Sequence, residues 1–415
     1  MLKTVAKLYF KTKVSNVKIE RLIYQQVVPF LTNVSSFRYL QIIKQVFTLL
    51  MPIFITISII YLGIYIPNNF WQANVMPLIN TMVGYLIFLL PILIIITTVY
   101  LTENWYQDAE KKVIKFEGII LALLIFLLLT DYLTVAKNFP KTNYIWLSLI
   151  TSIASSESLR LITKLCEQIK GWKKIPTMVI NTLTNIFSLV ITMIFWLLLI
   201  GIFKKPLNEF VLLLQVTILS WLDNPLWVFA IVGINRILWA FGVHGSNLFN
   251  SFIDPFFVQM SIINFEAFYQ QKPLPYTYTS IFIDTYIWLG LLPVALLLCL
   301  QKNKEVKELG KHASIPACFN ISEQLMYGLP IVKNVKSGLP FIISYLLITA
   351  IAINAQWLGK IVVPVLFMPY FVPIPVRAFL ATAGNIPALL FVLAMWLLIA
   401  CVFYPAIKLM ANEKK

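Results

Sequence analysis

Charge is what this chain has least of. Only 12% of its 415 residues are Asp, Glu, Lys or Arg, against 60% hydrophobic residues, where a soluble domain carries about a quarter charged residues. That excludes a soluble globular domain, and the apolar runs are too long and too numerous for a soluble core. The length allows roughly eight to eleven membrane crossings at ~20 residues each, plus loops. Histidine is scarce, with two in the whole chain, and the four cysteines (Cys166, Cys299, Cys318, Cys401) stand far apart with no C-x-x-C or other metal spacing. A rich metal site is thereby excluded, and no metal or other cofactor is expected. The cysteines read as small buried hydrophobes. No cleavable signal peptide is expected either: the first 41 residues are basic and amphipathic rather than a short apolar region with a small-residue cleavage site. Acidic residues number 17 against 33 basic ones, a net charge of +16. The basic residues lie in loops between apolar spans, not on one soluble face. They therefore read as topology determinants and contacts to anionic lipid headgroups rather than as a nucleic-acid surface.

What is present is a series of apolar spans that changes character halfway. Residues 1–41 carry Lys3, Lys7, Lys11, Lys13, Lys18, Arg21 and Arg38 against Glu20 alone, and should form an amphipathic segment on the cytoplasmic leaflet. Spans are expected over 46–66, with a kink at Pro52, and over 75–101, 118–135, 144–154 and 175–203. Weakly and strongly basic loops alternate between them, which places the amino terminus inside, and the final ANEKK inside as well. We expect an amino-terminal membrane domain over 42–203, an amphipathic linker over 204–224 and a second membrane domain over 225–415. In this second half the spans become irregular. Residues 246–275 hold Asn247, Asn250, Asp254, Gln259, Asn264 and Glu266, too polar for a simple lipid-facing helix. The stretch 301–312, QKNKEVKELGKH, reads as a charged cytoplasmic loop. Residues 313–334 are short, broken by glycine and proline and polar at the centre, as in a re-entrant segment, and 361–384 hold Pro364, Pro369, Pro373 and Pro375, so a broken helix or second re-entrant loop is expected. Such backbone is tolerated at membrane depth only inside protein or beside a water-filled cavity.

Two groups stand out chemically. Glu323 lies among membrane-like residues in FNISEQLMYGLPIVKN (319–334), where a carboxylate costs several kcal/mol and so marks function by default. A residue starting a helix at SEQ or snorkelling to the surface is the competing reading. His244 sits between Gly242 and Gly245 in LWAFGVHGSNLFNSFIDP. A hydrogen-bonded structural histidine is its plain alternative, but flanking glycines let backbone approach a ligand. Trp239, five residues before it, and Tyr370, in a proline-rich stretch, could stack on the apolar face of a pyranose or simply pack. Asp223, Arg236, Asp254, Glu266 and Asp284 are further isolated ionisable residues of the second half and are assigned no chemistry.

These segments together resemble the membrane-embedded C subunit (enzyme IIC) of the bacterial phosphotransferase system, in its lactose/cellobiose/diacetylchitobiose branch. The family's W-x-x-G-[IV]-H-G element is similar to WAFGVHG (239–245). Its F-N-I-N-E-P-x-x-[FY]-G-x-P-I-x-x-N element is similar to FNISEQLMYGLPIVKN, with Ser322 and Gln324 in place of Asn and Pro. Its proline-rich stretch before A-F-L-A-T-G-G is matched by PYFVPIPVRAFLATAGN (369–385), with Tyr370 at the family's tryptophan, and its closing Y-x-P by Tyr404 and Pro405. RYLQIIKQVFTLLMP (38–52) resembles the family's first-span entry, and KTNYIW through IKGWKKIP (141–176) takes the place of its fourth and fifth spans. The family's G-G-S-G element, expected between 284 and 296, is absent, and IDTYIWLGLLPVAL stands there instead.

The resemblance implies an all-α polytopic fold of about ten transmembrane helices with re-entrant hairpins in the carboxy-terminal half. It implies a homodimer, with the sugar bound in residues 225–415. The chain would be a multi-pass permease of the bacterial cell membrane, the membrane subunit of a protein-phosphocysteine–sugar phosphotransferase complex. Its substrate would be a β-linked disaccharide such as cellobiose, lactose or diacetylchitobiose, phosphorylated on its 6-hydroxyl by a phosphocysteine on a separate IIB subunit. Glu323 would act as base on that hydroxyl with His244 beside it. Trp239, Tyr370, Asn320, Ser322 and Asn247 form the candidate substrate-binding set. An ion-coupled secondary transporter, which also uses broken helices and a midplane carboxylate, and a diverged paralogue that binds sugar without phosphorylating it are the alternatives.

Overall fold

The computed structural model describes residues 23–65, 69–110, 116–130, 132, 141–168, 176–242, 245–329, 331–332 and 334–413. Among the described residues there are helices and connections and no strand. The first half comprises α1 (Val28–Ser35), α2 (Arg38–Tyr65), α3 (Asn69–Glu110), α4 (Phe116–Thr130), α5 (Ile145–Gln168) and α6 (Thr177–Leu222). The second comprises α7 (Pro225–Ala240), α8 (Gly245–Tyr269), α9 (Leu292–Cys299), α10 (Lys304–Cys318), α11 (Glu323–Gly328), α12 (Val335–Trp357), α13 (Ile374–Ala381) and α14 (Ile386–Glu413). Among the described residues six stretches are long and apolar enough to cross a membrane: Arg38–Ile64, Val75–Tyr106, Met178–Leu222, Ser280–Cys299, Ser337–Trp357 and Ile386–Leu409. Phe116–Thr130 and Pro225–Ala240 are apolar but shorter. Most of the amino-terminal basic segment lies outside the described residues.

The first half is built from long helices that carry their polar groups internally. The serines and threonines of α5 do not break it, because Ser148, Thr151, Ser152, Ser155 and Ser158 each donate to a carbonyl three or four residues back. The helix therefore runs on through SSES to Gln168, past the end expected at 154. Residues 204–222, the expected linker, continue α6 without a break, and the whole helix has 46 residues. At 1.5 Å per residue it is ~69 Å long, well beyond one bilayer crossing. One acid ties α2, α3 and α5 together: Glu157 accepts from Arg38 at 2.7 Å, from Arg160 at 2.9 Å and from the Tyr106 hydroxyl at 2.8 Å. The cysteines differ from their expected burial: Cys166, Cys299 and Cys318 are half-buried and Cys401 is exposed. A bilayer supplies the apolar surroundings a thiol prefers, so burial in protein is not required.

In the second half, polarity is turned inward. In α8, Gln259 and Asn264 are fully buried. Gln259 Oε1 accepts from Trp146 Nε1 at 2.6 Å, and the Asn264 amide both donates to Tyr276 O and accepts from Tyr276 N. Satisfied pairs of this kind make buried polar groups tolerable. The 301–312 stretch is not a loop as expected but the first turns of α10. Asn303 caps it by accepting from Val306 N at 3.2 Å. Val306, Gly310, Ala313 and Ala317 recur on its buried face, and Gly310 lets the helix sit against α9, since an added Cβ would lie 2.6 Å from the Cys299 nitrogen. The stretch Ser280–Cys299 is apolar enough to span yet discontinuous. A short helical turn Ser280–Phe282 passes into a wide π turn, Ile283–Ile287, and helix resumes only at Leu292. Residues 358–373 are likewise non-helical before α13. Their backbone is satisfied by protein: Phe367 N donates to Ser58 Oγ on α2 at 3.0 Å, and Val365 N and Leu366 N donate to Ala381 O. This meets the requirement for irregular backbone at membrane depth.

Candidate functional site

The discontinuities converge. The broken span, the turn between α10 and α11, and the stretch before α13 come together with α7 and α12 around a cavity of about 340 Å³. Asn235, Arg236 and Trp239 line it from α7, Asp284, Trp288 and Gly290 from the broken span, and Phe341 and Tyr345 from α12. Asn320, Ser322, Glu323, Met326, Tyr370 and Arg377 complete the wall.

Backbone geometry at the centre follows from two left-handed residues. Gly290 has φ +66° and Asn320 φ +65°. Glycine adopts this conformation without strain, and asparagine is among the few others that visit it. The turn at Asn320 aims its side chain across the cavity, where Nδ2 donates to the Tyr370 carbonyl and to the Val372 carbonyl at 2.9 Å. The Gly290 carbonyl accepts from the Tyr345 hydroxyl at 3.2 Å. Arg377, 5% exposed, donates to the carbonyls of Asp284, Trp288 and Tyr370. Asn320 and Arg377 thus join the broken span, the turn at Asn320 and the stretch before α13 through backbone oxygens.

Arg236 is held differently. Its guanidinium lies 3.9 Å from the Trp288 ring centroid, 4.1 Å from that of Tyr345 and 5.3 Å from that of Phe341. Among the described residues no carboxylate lies within ion-pair range of it, and such a cage is the way a desolvated cation is held without one. Three buried polar atoms in this wall have no hydrogen-bond partner among the described residues: Asn235 Oδ1, Arg236 Nε and Arg377 Nε. One acceptor and two donors are therefore left for whatever fills the cavity, since buried polar groups are rarely left unsatisfied.

Five of the seven residues singled out in the sequence meet here. Glu323 opens α11 as an exposed side chain on the cavity wall. Ser322 precedes it and makes no side-chain cap bond. Trp239, Asn320 and Tyr370 line the same space, Tyr370 being 67% exposed. His244 and the side chain of Asn247 lie outside the described residues. Asn235, Arg236, Asp284, Trp288 and Arg377 were not among the candidates. Arg236 and Asp284 did carry a signal, an ionisable residue in an apolar run. Trp288 and Arg377 carried none that separates them from ordinary interfacial or packing residues. Among the described residues no cluster of His, Cys, Asp or Glu could hold a metal.

Broken apolar spans arranged around a polar cavity define the class: an integral membrane transport component. Comparison with known proteins gives the family. The family model described as "Phosphotransferase system, EIIC" matches residues 44–348, and the chain belongs to that family. Members act with a sugar and a IIB component, and in some relatives EIIC and IIB are fused as EIICB. The chain is 23% identical over 423 residues to the oligo-beta-mannoside-specific EIIC component of Bacillus subtilis, covering 95% of each. It is 25% identical to the lactose-specific EIICB component of Staphylococcus aureus over 93% of this chain and 71% of that one. The fold matches the crystal structure of ChbC, the IIC component of an N,N'-diacetylchitobiose-specific phosphotransferase system. The TM-score is 0.81 and the identity 22%, over 95% of this chain and 98% of that one.

Proposed function

We propose that this chain carries a β-linked disaccharide, of the cellobiose, lactose or diacetylchitobiose kind, across the cell membrane, and that the sugar's 6-hydroxyl is phosphorylated by phospho-IIB in the process. The observation that carries this reading is the gathering of Glu323, Trp239, Asn320, Ser322 and Tyr370 on one cavity. An indole and a phenol offer flat apolar faces to a pyranose, while amide, hydroxyl and carboxylate groups meet its hydroxyls. A free hydroxyl is a poor nucleophile at neutral pH. With the Glu323 carboxylate accepting its proton, the sugar oxygen attacks phosphorus, the phosphorus–sulfur bond of the donor phosphocysteine breaks, and the cysteine thiolate leaves. Positioned proton acceptance of this kind typically contributes about 10²–10⁴-fold. His244, next in sequence to the start of α8, would stand beside Glu323. The working form is a homodimer with both termini cytoplasmic. Residues 42–203 would dimerise, 204–224 would link, and 225–415 would carry the sugar.

Membrane vesicles containing the protein, given radiolabelled cellobiose or lactose with and without a phosphorylated IIB subunit, test the reading. Sugar phosphate should form only with the donor, whereas uptake of unmodified sugar driven by an ion gradient would overturn the proposal. Glu323→Gln should abolish phosphorylation, a loss of at least about 10²-fold, while sugar binding persists. His244→Ala should weaken both binding and turnover. A Glu323→Gln protein that phosphorylates at the normal rate removes the base from this assignment.

A further inference from the structure

The first half carries a charged cluster for which the sugar site has no use. Glu157 of α5 is saturated as an acceptor. Its Oε1 takes bonds from Arg38 of α2 at 2.7 Å and from the Tyr106 hydroxyl of α3 at 2.8 Å. Its Oε2 takes two from Arg160, three residues further along α5, at 2.9 and 3.1 Å. Among the described residues the ion pairs of both arginines go to Glu157 alone. Two guanidiniums thus share one carboxylate, and one positive charge is left over. The Arg38 guanidinium lies 4.4 Å from the Tyr39 ring centroid and 4.5 Å from that of Tyr106, and the Arg160 guanidinium lies 4.0 Å from the Tyr106 centroid. The rings fix both planar forks in place without removing their charge. Arg38 Nε is buried with no hydrogen-bond partner among the described residues.

The place of the cluster says what would neutralise it. Arg38 opens the membrane-length stretch Arg38–Ile64, and Tyr106 closes Val75–Tyr106. The cluster therefore stands where two spans end, at the level of lipid headgroups. Phe37 and Trp105, both exposed, flank it in sequence, as aromatic residues do at a membrane–water interface. Deeper along the same helices Leu49 and Ile53 of α2 and Ile96 and Tyr100 of α3 are exposed, apolar surface against which acyl chains can lie. A guanidinium suits a phosphate because parallel N–H groups meet two of its oxygens. A free phosphate would satisfy the same N–H groups but would gain nothing from the apolar surface. A zwitterionic headgroup would bring a second cation back beside the arginines.

We infer that Arg38 and Arg160, held by Tyr106 and Glu157, form a binding site for the phosphate of an anionic phospholipid. Native mass spectrometry of the full-length protein in detergent micelles, titrated with phosphatidylglycerol, tests it through the dissociation constant of the first lipid bound. Phosphatidylglycerol should bind about fivefold or more tighter than phosphatidylethanolamine with the same chains. Arg160→Gln should weaken phosphatidylglycerol about fivefold, and Arg160→Lys, which keeps the charge but not the planar fork, should lose less. Glu157→Gln removes the competing anion, so this variant should bind the lipid at least as tightly as the parent. Lys311→Gln, at an exposed lysine of α10, should leave the affinity unchanged. The melting temperature of each variant without lipid reports whether it is folded. Equal affinities for the two lipids would overturn the site. So would an equal weakening by Lys311→Gln and Arg160→Gln, which is a response to net charge alone. A folded Glu157→Gln protein that binds the lipid more weakly would make the cluster a structural clamp and overturn the site too. Displacement of the lipid by glycerol phosphate as effectively as by a second phosphatidylglycerol would make it a site for a free anion and overturn the lipid assignment.

Discussion

Arg236 sits in a helix of Leu, Ile, Val and Trp, and rings rather than a carboxylate surround its charge. Its cage comes from positions 52, 105 and 109 residues further on, at Trp288, Phe341 and Tyr345. Nothing local announces it. Glu323, Trp239 and Asn320 were legible because each stands in a motif that breaks apolar sequence with glycine, proline or amide. Arg236, Trp288 and Arg377 act through contacts made only when distant segments meet. Asp223 is a second case. It follows α6, and its Oδ1 accepts from the backbone N–H groups of Thr277 at 2.8 Å and Tyr278 at 2.7 Å. Burial pushes its carboxyl above the ordinary value, and the two donors only partly offset this. A native carboxyl with a raised pKa stabilises the fold below its unfolded value, and that contribution is lost as pH rises through the folded one. Asp223→Asn keeps an acceptor without the charge, so its melting temperature at neutral pH should equal or exceed that of the parent. On acidification the parent should gain relative to the variant. Asp223→Ala leaves two N–H groups without their acceptor and should cost about 1–3 kcal/mol. Thermal unfolding of the three proteins across pH 4–8 checks the order.

The elements that form the site are those with the weakest claim to regular structure. Proline and glycine in 313–334 and 361–384 made the breaks around Asn320 and before α13 readable, since backbone that cannot continue a helix must find partners elsewhere. The break within Ser280–Cys299 was not readable. IFIDTYIWLGLL is apolar and contains Gly290 as its one conformational hint, and the carbonyls of Asp284 and Gly290 accept from the distant Arg377 and Tyr345, partners that no local pattern announces. The α9–α10 hairpin misled in the opposite direction: lysines suggested a loop, but a cap and a small-residue face made a helix. Gly310 is the residue that face depends on. A Cβ there would stand 2.6 Å from Cys299 N and 2.9 Å from the Ala295 carbonyl oxygen, both rigid helix backbone. Gly310→Ala must therefore push the two helices apart. The expected loss is about 1–3 kcal/mol of stability, as for other overpacked sites, despite alanine's better helix propensity. A melting temperature at or above that of the parent would show that the hairpin can relax at no cost.

Across the whole molecule, the two halves of the chain share a core. Ile42–Leu62 residues of α2 pack with Ile262, Phe265 and Tyr269 of α8 and with Leu366 and Phe367 of the non-helical stretch before α13. At its centre Phe54, Phe265 and Phe367 form a ring cluster with centroid separations of 5.5, 5.2 and 5.6 Å. Beside it the Ser58 hydroxyl accepts from Phe367 N. That contact connects the first half directly to the segment carrying Tyr370, and a second cavity opens between Met51, Ile55 and Phe367. The core cluster around Phe54 therefore crosses the boundary proposed at 204–224. Movement of a sugar-carrying half against the first would have to slide or break the Phe54 cluster. Phe54 is 0% exposed, and Phe54→Ala should cost about 3–5 kcal/mol in stability. Phe54→Leu conserves most of the volume and should cost under about 1.5 kcal/mol. The functional consequence is separable from the stability loss. If the cluster holds the two halves together during turnover, Phe54→Leu should change the rate of sugar uptake while equilibrium sugar binding stays constant. A variant with unchanged uptake would place the moving boundary elsewhere than along α2.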